Sequence, residues 1–282
     1  MIWWKAIRPQ TLSASISPVL MGSVMAFTTG LFDGMIFIIT LITALGIQIS
    51  CNLINDYQDF LKGADTPTRQ GPLRVTAAGL ITLPRMRKIS FFSLACTALS
   101  GCYLIWHGGM IIALLLAISL LLAIIYTGGP FPLAYLGLGE FFVLLFFGPI
   151  TISATYFLQT GIFSTDALLV GLGPGALSTA ILIANNLRDE KEDRIALKKT
   201  LIVRFGTLFG KYEYLICLLV GITTPFYFMF TRPFTLIAVL TLLPASIALH
   251  TLFTHNHFSP LLPKTARLLS LHTLLFSIGW ML

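Results

Sequence analysis

Eight stretches of this chain contain no Lys, Arg, Asp or Glu at all: 9–32, 34–55, 89–139, 141–165, 167–187, 214–231, 233–263 and 268–282. A bilayer core of about 30 Å is crossed by roughly 20 apolar residues in a helix. Within hydrocarbon, backbone polar groups are satisfied only inside helices or closed barrels. Runs of this length therefore dictate an all-α, polytopic membrane protein. A transmembrane β-barrel would instead show short alternating segments. Only 10% of the residues are charged, against about 25% in soluble domains, which excludes a soluble enzyme.

The longest run, 89–139, is interrupted by His107-Gly108-Gly109 and by the Gly and Pro cluster from Gly128 to Pro132, residues that punctuate helices. Dividing it there predicts nine spans, near 11–31, 35–55, 89–106, 110–127, 139–159, 167–187, 213–230, 234–252 and 267–282. With a cytoplasmic N-terminus, 17 of the 18 Lys and Arg residues fall on the cytoplasmic side, and only Arg232 falls outside. That asymmetry is the positive-inside pattern, and a helix more or less would scatter it. It also accounts for the net charge of +7 without nucleic acid, because the basic residues form no continuous tract. The expected setting is the inner (plasma) membrane, in contact with lipid. The first apolar run is too long for a signal-peptide core, so the first span is expected to be retained, with Trp3 and Trp4 at the interface. Cys51, Cys96, Cys102 and Cys217 form no CxxC and read as packing residues. His255 and His257 form an isolated HxH, a poor metal site on its own.

Two polar loops, 56–88 and 188–212, open alike. Asn52 and Asp56 close the second span, and Asn185 and Asp189 close the sixth, an offset of 133 residues in both cases. A parallel repeat of two four-helix halves plus a ninth helix is the economical reading, within one membrane domain over 1–282. Asn52, Asp56 and Asp59 are spaced i, i+4, i+7, and Asn185, Asp189 and Asp193 are spaced i, i+4, i+8. Each trio lies on one face of a helix leaving the bilayer. Oxygen-only clusters suit Mg²⁺, which takes one or two carboxylates plus phosphate oxygens, so the pattern implies a diphosphate ligand. Solvated helix ends are the plain alternative, but they give no reason for duplicated spacing. Lys62, Arg69 and Arg74 follow the first trio, and Arg188, Lys198, Lys199 and Arg204 accompany the second. Such residues bind phosphate, and they also serve topology. A transporter would also use a repeat and intramembrane acids, but its site would lie at the bilayer midplane.

Four segments carry a more specific resemblance: Arg8-Pro9-Gln10-Thr11-Leu12; NLINDYQDFLKGADT from Asn52 to Thr66 with GPLR from Gly71 to Arg74; YTGGPFPLAYLGLGE from Tyr126 to Glu140; and NNLRDEKEDR from Asn185 to Arg194 with KKTLIVRFG from Lys198 to Gly206. Together they resemble the UbiA superfamily of intramembrane aromatic prenyltransferases, and within it the 1,4-dihydroxy-2-naphthoate branch of menaquinone biosynthesis. The first trio departs from the superfamily's NxxxDxxxD spacing, since position 60 is Phe; that variant resembles the naphthoate branch. The resemblance implies that Asp56, Asp59, Asp189 and Asp193 bind Mg²⁺ bridging a polyprenyl diphosphate. Asn52 and Asn185 would support them, with Asp65 as a weaker candidate. It implies a prenyl carbocation captured by an aromatic acceptor, 1,4-dihydroxy-2-naphthoate, with 4-hydroxybenzoate as the nearest rival. Tyr126 would stabilise the cation through its ring or contact phosphate through its hydroxyl, as opposed to serving in an aromatic belt. Glu140 has a plain reading as a helix N-terminal carboxylate.

Overall fold

The computed structural model describes residues 2–65, 71, 73–254 and 258–282; Arg69, His255 and His257 lie outside them. The regular elements among these residues are all helical: α1 (Ile2–Ile7), α2 (Pro9–Phe27), α3 (Gly34–Leu61), α4 (Leu83–Ile125), α5 (Leu133–Leu136), α6 (Gly139–Phe146), α7 (Pro149–Thr160), α8 (Thr165–Val170), α9 (Leu172–Arg188), α10 (Glu190–Ile195), α11 (Leu201–Phe205), α12 (Thr207–Tyr227), a 3₁₀ segment (Pro233–Thr241), α13 (Leu242–Thr254) and α14 (Leu261–Met281). Among the described residues, five helical stretches are long and apolar enough to cross a membrane: Gly34–Leu61, Leu83–Ile125, Gly139–Thr160, Thr165–Arg188 and Pro233–Thr254.

The α4 stretch is two helices. Gly109 adopts φ 68 and ψ −155, left-handed backbone that only glycine takes without strain. The two limbs fold back on each other, because a Cβ on Gly101 would touch the Leu116 side chain, whereas a continuous helix would separate those positions by about 22 Å. The break expected at His107-Gly108-Gly109 is therefore a tight hairpin.

Other expected spans are not single rods. The stretch at 139–160 breaks at Phe147 and Gly148, where Pro149 starts α7. Proline fits a first helical turn, where its missing N–H has no intrahelical partner. The stretch at 165–188 stays helical through Gly171, at φ −60 and ψ −24, and the 3₁₀ segment occupies the first half of 233–254. Helices also outrun the apolar segments: α3 continues to Leu61, and α12 and α14 start at Thr207 and Leu261. Intrahelical hydrogen bonding continues in water, so hydropathy marks the membrane and not the helix end.

The α9 helix runs through the interior. Leu177, Ala180, Ile183, Ala184 and Leu187 pack with Tyr214 and Leu218 of α12, Ala248 and Leu252 of α13, and Leu261 and Leu269 of α14. A second core joins Met21 and Met25 of α2 to Ile152, Phe228, Ala238, Phe276 and Trp280. The α2 helix thus touches α3, α7, α9 and α14 and ties the two halves of the chain together. The α6–α7 break sits directly on α9: a Cβ on Gly148 would lie 2.3 Å from the Gly171 carbonyl oxygen, and one on Gly175 would lie 2.4 Å from that of Leu144. Small residues let backbones approach this closely where apolar burial supplies no net attraction between helices.

Candidate active site

The last turns of α3 and α9 meet beside the α4–α6 connection and the loop after α10, around a cavity of about 260 Å³. Its walls are apolar along Ala14, Pro18, Leu122, Phe142, Val143 and Phe146. Its polar part is built from both halves of the chain.

From α3 come Asn55 and Asp59. The Asn55 amide oxygen accepts the Thr127 hydroxyl at 2.7 Å. Asp59 is 2% exposed; it accepts from the Arg74 guanidinium at 3.1 Å and from the Tyr135 hydroxyl at 3.2 Å. Arg74 also lies 3.2 Å from Asp65. From α9 come Asn185 and Asp189. The buried Arg188 guanidinium grips both Asp189 oxygens, at 2.6 and 2.7 Å, and donates to Asn185 at 2.7 Å. Asp193 of α10 completes the set. The Lys198 ammonium joins the halves, lying 3.5 Å from Asp59 and 3.4 Å from Asp193. Burial pushes the Asp193 carboxyl up to about 6 against the pull of Lys198. Charges this deeply buried persist only when paired.

Tyr135 is a site residue that carried no signal in the sequence beyond its segment. Its ring is faced by Lys62 at 4.5 Å and Lys198 at 5.1 Å, and its hydroxyl reaches Asp59. Burial and the Asp59 charge hold its hydroxyl well above the usual phenol range. Lys62 donates to the Thr127 carbonyl at 2.5 Å, and burial shifts its ammonium downward. Tyr126 lines the cavity with its hydroxyl against Gly139, where a Cβ would come within 3.1 Å of it. Beside it, the buried Glu140 accepts the Asn186 amide at 2.8 Å.

The expected first trio is out of register with this site. Asp56 does not line the cavity; its two carboxylate oxygens accept the Val75 and Thr76 backbone N–H groups at 3.2 and 3.0 Å, an anchor for the loop that carries Arg74. Asn52 lines the cavity but donates to the Ile7 carbonyl and the Thr11 hydroxyl, which ties α1 and α2 to α3. The cavity pair is Asn55 and Asp59, with the same i, i+4 spacing as Asn185 and Asp189. Lys199 and Arg204 are exposed and do not line the cavity. The Lys199 backbone N–H and the Arg204 guanidinium instead pin the α5 segment, through the Tyr135 and Leu136 carbonyls. Arg8, at φ 54, lines the cavity and was not expected there.

Among the described residues no three His, Cys, Asp or Glu side chains gather into a closed metal shell. The donors are oxygens of Asp59, Asp189, Asp193, Asn55 and Asn185, a set that fits a hard cation sharing one or two carboxylates with phosphate oxygens.

The chain is 37% identical over 225 residues, 78% of its length and 73% of the relative's, to 1,4-dihydroxy-2-naphthoate octaprenyltransferase of Escherichia coli (strain K12). It is 32% identical over 295 residues to the protein of the same description from Haemophilus influenzae (strain ATCC 51907 / DSM 11121 / KW20 / Rd), covering 99% and 95% of the two chains. Its fold matches a UbiA homolog from Archaeoglobus fulgidus bound to GPP and Mg2+, with TM-score 0.66 at 12% identity over 98% of this chain and all of the other. The model of the UbiA prenyltransferase family matches residues 15–271, and the chain belongs to that family.

Proposed function

We propose that this chain transfers a polyprenyl group from a polyprenyl diphosphate to 1,4-dihydroxy-2-naphthoate. The new C–C bond forms at the carboxylate-bearing carbon, the carboxylate leaves as CO₂, and the products are a demethylmenaquinol and diphosphate. The observation that carries this reading is the pairing of Asp59 with Lys198 and Arg74, and of Asp189 with Arg188, beside a cavity whose remaining walls include Pro18, Leu122, Phe142, Val143 and Phe146. The names of the relatives support the acceptor, and the GPP and Mg2+ in the Archaeoglobus fulgidus homolog support the donor and the metal.

Asp59, Asp189 and Asp193, with Asn55 and Asn185, would hold Mg²⁺. When bound it supplies Lewis-acid stabilisation of charge developing on the departing diphosphate. Arg74 and Lys198 supply fixed positive charge for the same oxygens. Phe142, Phe146 and Tyr126 line the cavity and exclude the water that would otherwise capture the prenyl cation as an alcohol. The Tyr126 ring face is suited to a passing cation. The site lies at helix ends beside polar loops, where a headgroup-sized diphosphate enters while its tail stays in lipid. We further read the chain as one membrane domain of nine spans in the inner membrane, with the N-terminus and both polar loops cytoplasmic. Ala196→Cys should then resist impermeant labels on intact cells while Arg232→Cys reacts.

The deciding assay is purified protein with Mg²⁺, a polyprenyl diphosphate and a panel of aromatic acceptors, read by mass spectrometry with CO₂ release. Preferential turnover of 1,4-dihydroxy-2-naphthoate is expected. Equal turnover of 4-hydroxybenzoate would move the acceptor assignment and leave the diphosphate chemistry intact.

A further inference from the structure

The carboxylates of the cavity are not all alike. Asp59, Asp189 and Asp193 each have a Lys or Arg within 3.5 Å. Glu140 also lines the cavity and is only 6% exposed, yet among the described residues no basic side chain pairs with it. Its donors are neutral, the Asn186 amide at 2.8 Å and its own backbone N–H. Its charge is felt on α12 by Glu213, another carboxyl. A buried carboxyl without a cation is costly unless it meets hydrogen-bond donors, and two neutral donors leave part of its acceptor capacity unused.

A second polar group on the same wall is in a similar state. Ser178 of α9 is 2% exposed and lines the cavity, and its hydroxyl has no hydrogen-bond partner among the described residues. It stands on the same face of α9 as Asn186, roughly two turns away. Between and around these groups the wall is Leu182, Phe142 and Phe146. Flat apolar surface with a few unspent polar groups is how a site holds an aromatic ring that carries hydroxyls.

We propose that Glu140, oriented by Asn186, and Ser178 form the acceptor-recognition wall of the cavity, which takes a hydroxylated aromatic ring through hydrogen bonds to its ring hydroxyls. Glu140 accepts a hydroxyl proton in a hydrogen bond. The same negative charge repels the acceptor's own carboxylate and turns it toward Arg74 and Lys198, so the ring is bound in one orientation. This inference rests on the prenyl-transfer reading and adds to it the residues that select the acceptor.

The test compares wild type with Glu140→Gln, which keeps size and the bond to Asn186, and with Ser178→Ala. Three quantities are measured: binding of a non-cleavable prenyl thiodiphosphate, kcat/KM for 1,4-dihydroxy-2-naphthoate, and kcat/KM for its 4-methyl ether. Thermal stability and thiodiphosphate binding are expected to stay at wild-type values in both variants. Acceptor kcat/KM falls about tenfold or more in Glu140→Gln, through KM. The preference for the free hydroxyl over the methyl ether shrinks by a similar factor in at least one variant. Unchanged acceptor kinetics and unchanged preference in both would overturn the proposal, as would a loss of thiodiphosphate binding in step with acceptor turnover, which marks a structural role. Should Glu140→Gln not fold, Glu140→Asp retracts the carboxylate by one methylene and is expected to show the same acceptor-only loss. Wild type that prenylates a different hydroxylated ring, with the same dependence on Glu140, would sink the naphthoate assignment and keep this one. Should no acceptor turn over, quenching of dihydroxynaphthoate fluorescence by wild type and not by Glu140→Gln sustains the wall, and equal quenching by both overturns it.

Discussion

Lys198 reaches Asp59 across the junction of the two halves at 3.5 Å, while Asp193, at 3.4 Å from the same ammonium, belongs to its own half. One ammonium thus sits between two buried carboxylates that would otherwise repel each other. It stands where a cation and a diphosphate would compete for the same oxygens. Lys198→Ala is expected to raise KM for the prenyl diphosphate about tenfold, since the lost contact is charge-assisted. In the absence of substrate, the same change should tighten divalent-cation binding at Asp59 and Asp193, read by Mn²⁺ paramagnetic relaxation. Weaker Mn²⁺ binding would show that Lys198 supports the carboxylates and does not compete with a metal.

Asp56 and Asp59 lie on one helix with different roles, and their variants should separate cleanly. Asp56 caps two backbone N–H groups of the loop bearing Arg74. Asp56→Ala orphans both, at about 1–3 kcal/mol each, so it should lower the melting temperature. Asp59→Asn keeps shape and removes charge beside the cavity; turnover should fall about a hundredfold in protein that still folds. Loss of turnover in a fully folded Asp56→Asn protein would return Asp56 to the metal site.

These two residues also mark the limit of what the sequence discloses. The chain offers two overlapping i, i+4 pairs, Asn52 with Asp56 and Asn55 with Asp59, and both are helical repeats of the same chemistry. Choosing between them requires knowing which face of α3 meets the cavity. That is set by packing against α2 and α4, which periodicity does not report. The membrane class and the α4 hairpin were legible, because charge-free length and a Gly pair act locally. So were Asn185, Asp189 and Asp193, where one alignment of the spacing exists. Tyr135 was not, since it lies in a connection and acquires its role only when Lys62 and Lys198, from two distant loops, arrive on its ring.

Tyr135 makes two separable contributions. Its hydroxyl donates to Asp59 and its ring faces two ammonium groups. Tyr135→Phe retains the ring contacts and should change turnover only about threefold, in line with one hydrogen bond. Tyr135→Leu removes both, and each cation–π contact is worth about 0.5–2 kcal/mol. Freed lysines leave the site open to water, so the ratio of prenyl alcohol to prenylated product should rise in the Leu variant and not in the Phe variant. Equal ratios in the two would assign the closure to other groups.

The close crossing of the α6–α7 break over α9 gives a prediction about stability far from any charge. A Cβ at Gly148 would sit 2.3 Å from the Gly171 carbonyl oxygen and 2.7 Å from the Gly175 Cα. Both are backbone atoms at the start of α9, so no side-chain rotation relieves the clash. Gly148→Ala must therefore push α6 away from α9, at about 1–3 kcal/mol of overpacking. Because Glu140 on α6 bonds Asn186 on α9, the same displacement stretches that contact and should raise the acceptor KM. Gly34→Ala is the control, because nothing lies within 4 Å of its added methyl and its φ is not in the positive range. Gly34 opens α3, where alanine is at least as favourable as glycine. Thermal unfolding in detergent should show Gly148→Ala destabilised and Gly34→Ala unchanged or more stable. Equal melting temperatures for Gly148→Ala and wild type would mean that the two helices separate at no cost, and the close packing would then not be what holds Glu140 against Asn186.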